Sequence, residues 1–222
     1  ILGELARRAD VELVGIAESI PELRDRARKA LGREAVFYDD YRKMLDQARP
    51  QAVLCFTDNR QHLEVVRACA ARKVHLMMEK PLAPTYQQAR EAFEAARRAG
   101  IKLMINYWIA WAPTTYAAFE RVQAGDLGRV WRIEVRFGHN GPFELGVSRH
   151  FGEWLNDEQR NGGGAIIDFG CYGANLLRWY LGKPASVSAV RQTFKPQTYK
   201  VDDDAVIVAG YPGAVGVVEA SW

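Results

Sequence analysis

The chain is poor in the features that mark several classes of protein. It has only three cysteines among 222 residues, too few and too scattered for a disulfide framework or a zinc site, so we expect a reducing cytoplasm. No apolar stretch approaches the roughly 20 residues that span a bilayer. Neither sign of charge dominates, because the formal net charge is +3 and the basic residues are spread along predicted helices. These absences argue against a disulfide scaffold, a membrane protein, a metal site and a nucleic-acid-binding protein.

A glycine-rich phosphate loop is also missing. A dinucleotide-binding sheet begins with a strand that runs into G-x-G-x-x-G, but here only Gly3 stands near the start, inside a predicted helix. The first strand is central in the usual strand order, so its absence predicts a gap in the sheet. The last predicted strand, 214–222, runs to the final residue. We therefore expect a fragment of a longer protein, incomplete at both ends.

The first 110 residues alternate short apolar strands with helices of about a dozen residues. This alternation predicts a parallel, doubly wound sheet covered on both faces. The predicted strands are 11–17, 36–38, 52–56, 74–78 and 102–106.

After Pro113 the pattern changes to α+β. A helix at 114–124 leads to a strand at 129–137 and a polar loop at 138–149. A glycine run then opens a helix that extends to Leu181, and three antiparallel strands follow at 186–193, 205–211 and 214–222. We predict two domains, 1–110 with the parallel sheet and 111–222 with a mostly antiparallel sheet on which a helix packs.

The segment His75–Pro84, HLMMEKPLAP, predicts a ligand-facing cation. An apolar run of strand length is followed directly by Glu79, Lys80 and Pro81. Proline disfavours the helical basin for the residue before it, so Lys80 should project from the strand end, and a cis Lys80–Pro81 bond is one possibility. Ligands of parallel sheets lie outside the carboxyl ends of the strands. Lys80 is therefore predicted to face the ligand-binding site at this edge of the sheet.

A second polar cluster lies in the predicted helix after the glycine run. Asp168, Tyr172 and Asn175 stand at i, i+4 and i+7 and should share one face. Cys171 should face away from Asp168 and Tyr172 and serve in packing.

These residues suggest a route for oxidising a secondary alcohol, which needs a hydride acceptor and a base for the hydroxyl proton. A free tyrosine has a pKa near ~10, too high for an efficient base at neutral pH. A nearby lysine cation would lower it. Lys80 and Tyr172 come from different predicted domains, so they can meet only in the cleft between them.

Two motifs resemble the Gfo/Idh/MocA oxidoreductase family: Glu79-Lys80-Pro81 after an apolar strand, and Gly164…Asp168-x-Gly170-x-Tyr172. The segment Thr57-Asp58-Asn59-x-x-His62 is similar to the family's T-P-x-x-x-H, with Asp58 in place of proline. Asn106-Tyr107 and Pro113 also match. The resemblance implies that residues 1–110 form a Rossmann domain for a dinucleotide. It also implies that residues 111–222 form a C-terminal domain with an open, mostly antiparallel sheet for substrate binding and oligomerisation.

The resemblance also implies roles for single residues. Lys80 would contact the nicotinamide ribose and the substrate hydroxyl, and Asp168 would orient substrate or lysine. Tyr172 replaces the common histidine, as in the glucose–fructose oxidoreductase and sugar or dihydrodiol dehydrogenase branch, and would handle the proton. The predicted cofactor-binding residues are Glu18, Thr57, Asn59, His62, Glu79, Lys80 and Pro81. The predicted substrate residues are Asn106, Trp108, Arg149, His150 and Asn175.

Glu18 bears on the choice of cofactor. A carboxylate at the end of the second strand of such a sheet can accept hydrogen bonds from the adenosine ribose and would repel a 2′-phosphate, so NAD is favoured over NADP. The predicted function is an NAD(P)-dependent oxidoreductase acting on a sugar, polyol or related cyclic alcohol, and the resemblance implies a homo-oligomer. An NAD-dependent glycosidase using transient oxidation, or a non-catalytic binding protein, remain alternatives.

Overall fold

The computed structural model describes residues 2–32 and 34–222, and its first half alternates helices with short strands. The elements are α1 (Leu2–Arg7), β1 (Ile16–Ala17), α2 (Pro21–Leu31), β2 (Phe37–Tyr38), α3 (Tyr41–Ala48), β3 (Ala52–Cys55), α4 (His62–Ala71), β4 (His75–Glu79), α5 (Tyr86–Ala99) and β5 (Leu103–Asn106).

The strands β3, β4 and β5 form a sheet in that order, and their parallel pairing agrees with the prediction. The register pairs Glu79 with Asn106, which brings the carboxyl ends of β4 and β5 to one edge. On one face α4 packs against the sheet and α5 packs against α4, around the fully buried Val66 and Met78. The carboxyl edge beside this core is therefore held by a well-packed scaffold.

Helix α5 shows how local sequence sets the scaffold. Its N-terminus is capped by Thr85, whose hydroxyl accepts a hydrogen bond from the Gln88 amide, and it ends at Gly100 with φ 68°. Side-chain capping and a left-handed glycine satisfy backbone groups that a helix end leaves unpaired. The small side chains of Ala92 and Ala96 are buried, which allows close approach to α4.

A separate two-stranded parallel sheet contains β1 and β2. The predicted strand at 11–17 is wrong in its extent, because only Ile16 and Ala17 pair, with Phe37 and Tyr38. An extended segment forms a strand only where a neighbour offers ladder hydrogen bonds. Within residues 2–32 and 34–222 no strand joins β1 to β3, which agrees with the predicted gap.

The second half begins with α6 (Pro113–Ala124), which is followed by four helices and by four strands that form one sheet. These elements are β6 (Arg132–Gly138), α7 (Arg149–Leu155), α8 (Glu158–Asn161), α9 (Ala165–Asp168), α10 (Gly170–Leu181), β7 (Ser186–Gln192), β8 (Asp204–Tyr211) and β9 (Ala214–Ser221).

The sheet of the second half has the order β6-β9-β8-β7. The pairs β7–β8 and β8–β9 are antiparallel, and β6 joins β9 in parallel, so the predicted open, mostly antiparallel sheet is confirmed. Helix α10 packs on it through Leu177 and Val218. Gly173 permits this contact, because a Cβ there would lie 2.3 Å from Val218 Cγ1.

The prediction of one helix from the glycine run to Leu181 is wrong. The segment divides at Phe169 (φ −106°, ψ −35°) into α9 and α10. Phe169 packs against Phe137 and His139 at the break. Upstream, α7 and α8 occupy a stretch to which the sequence assigned no helix. Throughout the described ranges, no helix has both the length and the apolar character that crossing a membrane requires.

Candidate active site

Lys80 meets Asp168 at the carboxyl edge of the parallel sheet. Lys80 follows β4 directly, its bond to Pro81 is cis, and its Nζ donates to Asp168 Oδ1 at 2.5 Å and to the Asp168 carbonyl at 2.8 Å. Both side chains are 14% exposed. A charged pair that is this well buried is held by complementary charge and hydrogen bonds together. The structure thus brings together two residues 88 positions apart in the sequence.

Tyr172 lies beside this pair, with its ring facing the ammonium. Lys80 Nζ lies 4.8 Å from the Tyr172 ring centroid, within the range of a cation–π contact. The ring is enclosed by Phe137 (5.4 Å between centroids, stacked) and by the edges of Tyr107 (5.9 Å) and Trp108 (6.3 Å). The predicted meeting of ammonium and phenol across the two halves is therefore found, but the ammonium lies over the ring.

The protonation of Tyr172 differs from the prediction. Burial raises the pKa of its phenol above the ordinary value, and this outweighs the opposing effects of Lys80 and of Trp108. The expected lowering by Lys80 is therefore wrong in its net sign. For Lys80, burial disfavours the ammonium, but Asp168 and other neighbours outweigh it, so its pKa is raised. Both groups carry their protons at neutral pH.

Asp168 has a second partner that sequence reasoning missed. Its Oδ2 accepts a hydrogen bond of 3.0 Å from the Trp222 indole Nε1. Trp222 follows β9 and is 3% exposed. Asp168 is thus fixed from both sides, by Lys80 and by Trp222. In the sequence, a tryptophan at a strand end looks like an apolar packing residue, so nothing indicates that it donates a hydrogen bond to Asp168.

Cys171 lies next to these groups rather than facing away. Its Sγ donates to the Asp168 carbonyl at 3.4 Å, and burial raises the pKa of its thiol to about 12. The predicted orientation is therefore wrong, because the break at Phe169 changes the angle between Asp168 and the residues of α10. The thiol stays protonated, which agrees with the predicted packing role.

Glu79 and Asn106 extend the polar edge beside Lys80. Glu79 Oε1 accepts a hydrogen bond of 2.6 Å from Asn106 Nδ2, and Oε2 accepts one of 3.2 Å from the Lys80 amide. The amide nitrogen of Asn106, predicted for substrate, is therefore directed to Glu79. The pair holds the strand ends from which Lys80 projects.

His62 and Asn59 are buried, contrary to their predicted contact with a cofactor. His62 is 0% exposed, and its ring nitrogens lie 3.0 Å from the Pro81 carbonyl and 3.3 Å from the Thr57 carbonyl. Asn59 is 2% exposed and its amide donates to Asn161 in the second half. Such burial leaves no surface for a ligand, so both residues brace the corners after β3 and β4. Thr57 and Pro81 supply those carbonyls from partly exposed positions.

Three predicted substrate residues are not joined to the Lys80–Asp168 pair. Arg149 is 85% exposed and pairs with Glu153 at 2.6 Å, one turn along α7. His150 Nε2 lies 3.2 Å from Glu22 of α2. Asn175 is partly exposed on α10, one turn after Tyr172. Of the three residues predicted to share one helix face, Tyr172 and Asn175 lie on α10, whereas Asp168 lies on α9.

The glycine run makes a close backbone contact. A Cβ on Gly164 would lie 1.8 Å from the Asp202 carbonyl oxygen. The buried Asp202 carboxylate accepts from the amides of Gly164 (2.9 Å) and Ile166 (2.8 Å), at the start of α9. Asp202 therefore caps the helix that delivers Asp168. Sequence reasoning missed it, and its only signal was the acidic triplet 202–204, the last residue of which begins β8.

Comparisons with known proteins agree with the fold of the two halves. Residues 3–107 match the model of the oxidoreductase family with an NAD-binding Rossmann fold, and residues 116–222 match the GFO/IDH/MocA C-terminal domain. The chain belongs to the Gfo/Idh/MocA family. The predicted boundary near Trp111 stays a prediction.

Two of the similar proteins are named as dehydrogenases, of a D-glucoside and of levoglucosan. The chain is 30% identical to D-glucoside 3-dehydrogenase of Escherichia coli over 88% of its own length, and spans 58% of that protein. It superposes on levoglucosan dehydrogenase in complex with NADH and levoglucosan with a TM-score of 0.83 at 26% identity, covering 94% of this chain and 57% of that one. For GenD2 from gentamicin A biosynthesis in complex with NAD, the TM-score is 0.87 at 25% identity, covering 100% and 62%.

Proposed function

We propose that the protein is an NAD(P)-dependent oxidoreductase that moves hydride between nicotinamide and a sugar, polyol or related cyclic alcohol. The supporting observation is the group of Lys80, Asp168 and Tyr172 at the carboxyl edge of the parallel sheet, where ligands of such sheets bind. The names of the relatives, D-glucoside 3-dehydrogenase and levoglucosan dehydrogenase, support a carbohydrate substrate.

The donors and acceptors present fit a dinucleotide. Glu18 Oε1 accepts from the Ile20 amide at 2.9 Å, and its other oxygen has no hydrogen bond within residues 2–32 and 34–222, so it can accept from a ribose hydroxyl. Lys80 has three N–H donors and directs two to Asp168. Glu18 would hold the adenosine ribose of NAD, and Lys80 and Thr57 would lie at the nicotinamide end. Bound nicotinamide supplies the carbon that accepts or donates hydride.

Lys80 and Tyr172 would handle the proton. The remaining N–H of Lys80 can donate to the substrate oxygen and stabilise negative charge there, since Asp168 keeps the ammonium in place and charged. Tyr172, protonated at neutral pH, can donate its phenolic proton to an alkoxide formed on carbonyl reduction. In the oxidation direction the same phenol must first lose its proton. The exposed Trp108 ring beside Tyr172 offers an apolar surface to a sugar face.

The test is a spectrophotometric assay of the intact protein with NAD or NADP and a panel of sugars and polyols. We expect reduced nicotinamide to accumulate with at least one of these sugars or polyols. Release of free sugar from glycosides without net reduced nicotinamide would instead indicate the glycosidase alternative. Tight nucleotide binding without any turnover would indicate a binding protein.

We also propose that the protein forms a homo-oligomer through the open sheet. Helix α10 covers one face, and the other exposes Val206, Val208 and Val215 by 37–42%. An exposed apolar patch of this kind marks an association surface. Arg136 pairs with Glu219 at 3.0 Å on the same sheet. Light scattering after size exclusion would give the oligomeric state, and Val208→Lys is expected to shift it to the monomer.

A further inference from the structure

We propose that Asp58, Asn59, Arg160 and Asn161 form a clamp between the two halves of the chain that positions Asp168 and Tyr172 against Lys80. The kinetic part of this inference rests on the proposed function, whereas its structural part can be measured without turnover. None of the four residues touches the Lys80 ammonium in the described structure, so they act as positioning residues.

The first component is an ion pair between the buried Asp58 carboxylate and the partly exposed Arg160 guanidinium. The Asp58 side chain is 3% exposed, and its Oδ2 accepts from Arg160 Nε at 2.9 Å and from Nη2 at 2.8 Å. Its Oδ1 accepts from the Gln61 amide at 3.3 Å and so ties the carboxylate to the corner after β3. A buried carboxylate is stable only when it is paired and hydrogen-bonded. Asp58 therefore binds α8 of the second half to the end of β3.

The second component is a pair of buried amides. Asn59 Nδ2 donates to Asn161 Oδ1 at 2.7 Å and to the Asn161 carbonyl at 3.1 Å. Asn161, 1% exposed, donates in turn to the carbonyls of Gly163 and Leu155. Every change in this network would leave a buried polar group without a partner, which is costly. The network thus admits a single arrangement.

The clamp reaches the reacting groups through the glycine run. A Cβ on Gly162 would lie 2.9 Å from Pro84 Cβ, so this backbone lies directly on the segment that begins with Lys80. Beyond the run, α9 begins at once and ends at Asp168. The residues next to the clamp are therefore in contact with the Lys80 corner at one end and lead to Asp168 at the other. A small displacement of α8 would change the distance between Lys80 and Asp168.

Asp58 is also the residue at which this chain departs from the T-P-x-x-x-H segment it resembles. Proline has neither the carboxylate nor the amide donor and cannot form the ion pair with Arg160. The ion pair of the clamp is therefore a property of this sequence rather than of the motif.

The test compares Asp58→Asn with Asp46→Asn in the intact protein. Asp46 is a matched control, because it also pairs with an arginine, Arg72, at 2.6 Å, but on the exposed surface of the first half. The first measurement is the rate at which an amine-specific reagent labels Lys80, with the labelled fraction determined by mass spectrometry. The second is kcat and KM on the sugar that gives turnover.

For Asp58→Asn we expect labelling of Lys80 to rise several-fold and kcat to fall by about 10- to 100-fold, the size of effect that a small misplacement produces. Asp46→Asn should match the wild type in both measurements. If Asp58→Asn does not fold by circular dichroism, Arg160→Lys, which keeps the charge and loses the two-donor geometry, takes its place with the same expectation. A clamp variant that labels and turns over like Asp46→Asn would overturn the proposal. If the wild type turns over no sugar, the proposed function fails, and the labelling rates alone still decide the clamp.

Discussion

The ammonium of Lys80 lies over the Tyr172 ring, 4.8 Å from its centroid. The ring of Tyr172 contacts the cation, and the proposed function assigns the proton to its hydroxyl, so the two parts of this side chain can be tested separately. Charge on Lys80 is shared between this ring and the Asp168 carboxylate, which lies 2.5 Å away. The predictions below separate these contributions.

Tyr172→Phe removes the hydroxyl and keeps the ring beneath Lys80. If the phenol transfers the proton, kcat should fall by about 10²- to 10⁴-fold, while the dissociation constant for nucleotide changes little. Steady-state kinetics and nucleotide titration measure the two effects. Tyr172→Leu serves as the comparison, because it also removes the cation–π surface and should lower thermal stability further. Unchanged turnover in Tyr172→Phe would refute the assignment.

Lys80→Met removes the partner of a carboxylate that is 14% exposed. Leaving one member of a buried pair alone costs about 3 kcal/mol or more, so the free energy of unfolding in urea should fall by that order. Adding Asp168→Asn removes the stranded charge and should recover part of the loss. A double variant as unstable as Lys80→Met would show that the unpaired Asp168 charge does not cause the loss of stability.

The pH dependence should differ between the two reaction directions. Burial raises the pKa of Tyr172, and the base needed for alcohol oxidation is its deprotonated form. The oxidation rate should therefore rise with pH into the alkaline range, whereas carbonyl reduction, which needs the protonated phenol, should fall over the same range. Rate profiles in both directions test this, and Tyr172→Phe should lose the alkaline dependence. An oxidation rate that is already constant at neutral pH would contradict it.

Trp222→Phe keeps an aromatic ring in the core and removes the N–H that donates to Asp168 Oδ2. A hydrogen bond to a charged group contributes about 1.5–3 kcal/mol, so kcat/KM should fall by roughly tenfold or more. Trp131→Phe is the control, since Trp131 is 67% exposed. Equal activity of the two variants would exclude a positioning role for Trp222.

Gly164→Ala should destabilise the fold by several kcal/mol, because its Cβ would lie 1.8 Å from the Asp202 carbonyl oxygen. Gly3→Ala is the matched substitution in α1, where the nearest atom is 3.9 Å away, and it should be neutral or stabilising by up to about 1 kcal/mol. Thermal and urea unfolding give both values. Equal stability of the two variants would contradict the close contact.

Several features of the site were predictable because their signals are local. The apolar run before Glu79 and the proline after Lys80 predict a strand that ends in an extended cation, and the structure has this corner. The parallel pairing of β3, β4 and β5 follows from continuous apolar strands that alternate with helices, whereas their order is known only from the structure. The pairing of Lys80 with Asp168 needed the family resemblance, which connects two motifs far apart in the sequence.

Other features depend on partners that no local pattern reveals. The orientation of Cys171 was wrong because helix periodicity assumes a continuous helix, and the break at Phe169 results from packing. The burial of His62 and Asn59 results from contacts with Pro81 and Asn161, and a polar residue after a strand looks the same whether it contacts a ligand or another segment.

The sequence by itself determined the fold class, the family and the identity of the chemical groups, because hydrophobic periodicity and motif spacing are properties of neighbouring residues. Only the tertiary structure decided the protonation of Tyr172, the second partner of Asp168 and the residues that join the two halves. Burial and hydrogen bonding depend on which distant segments meet, and the energies of desolvation and pairing are fixed only when they do.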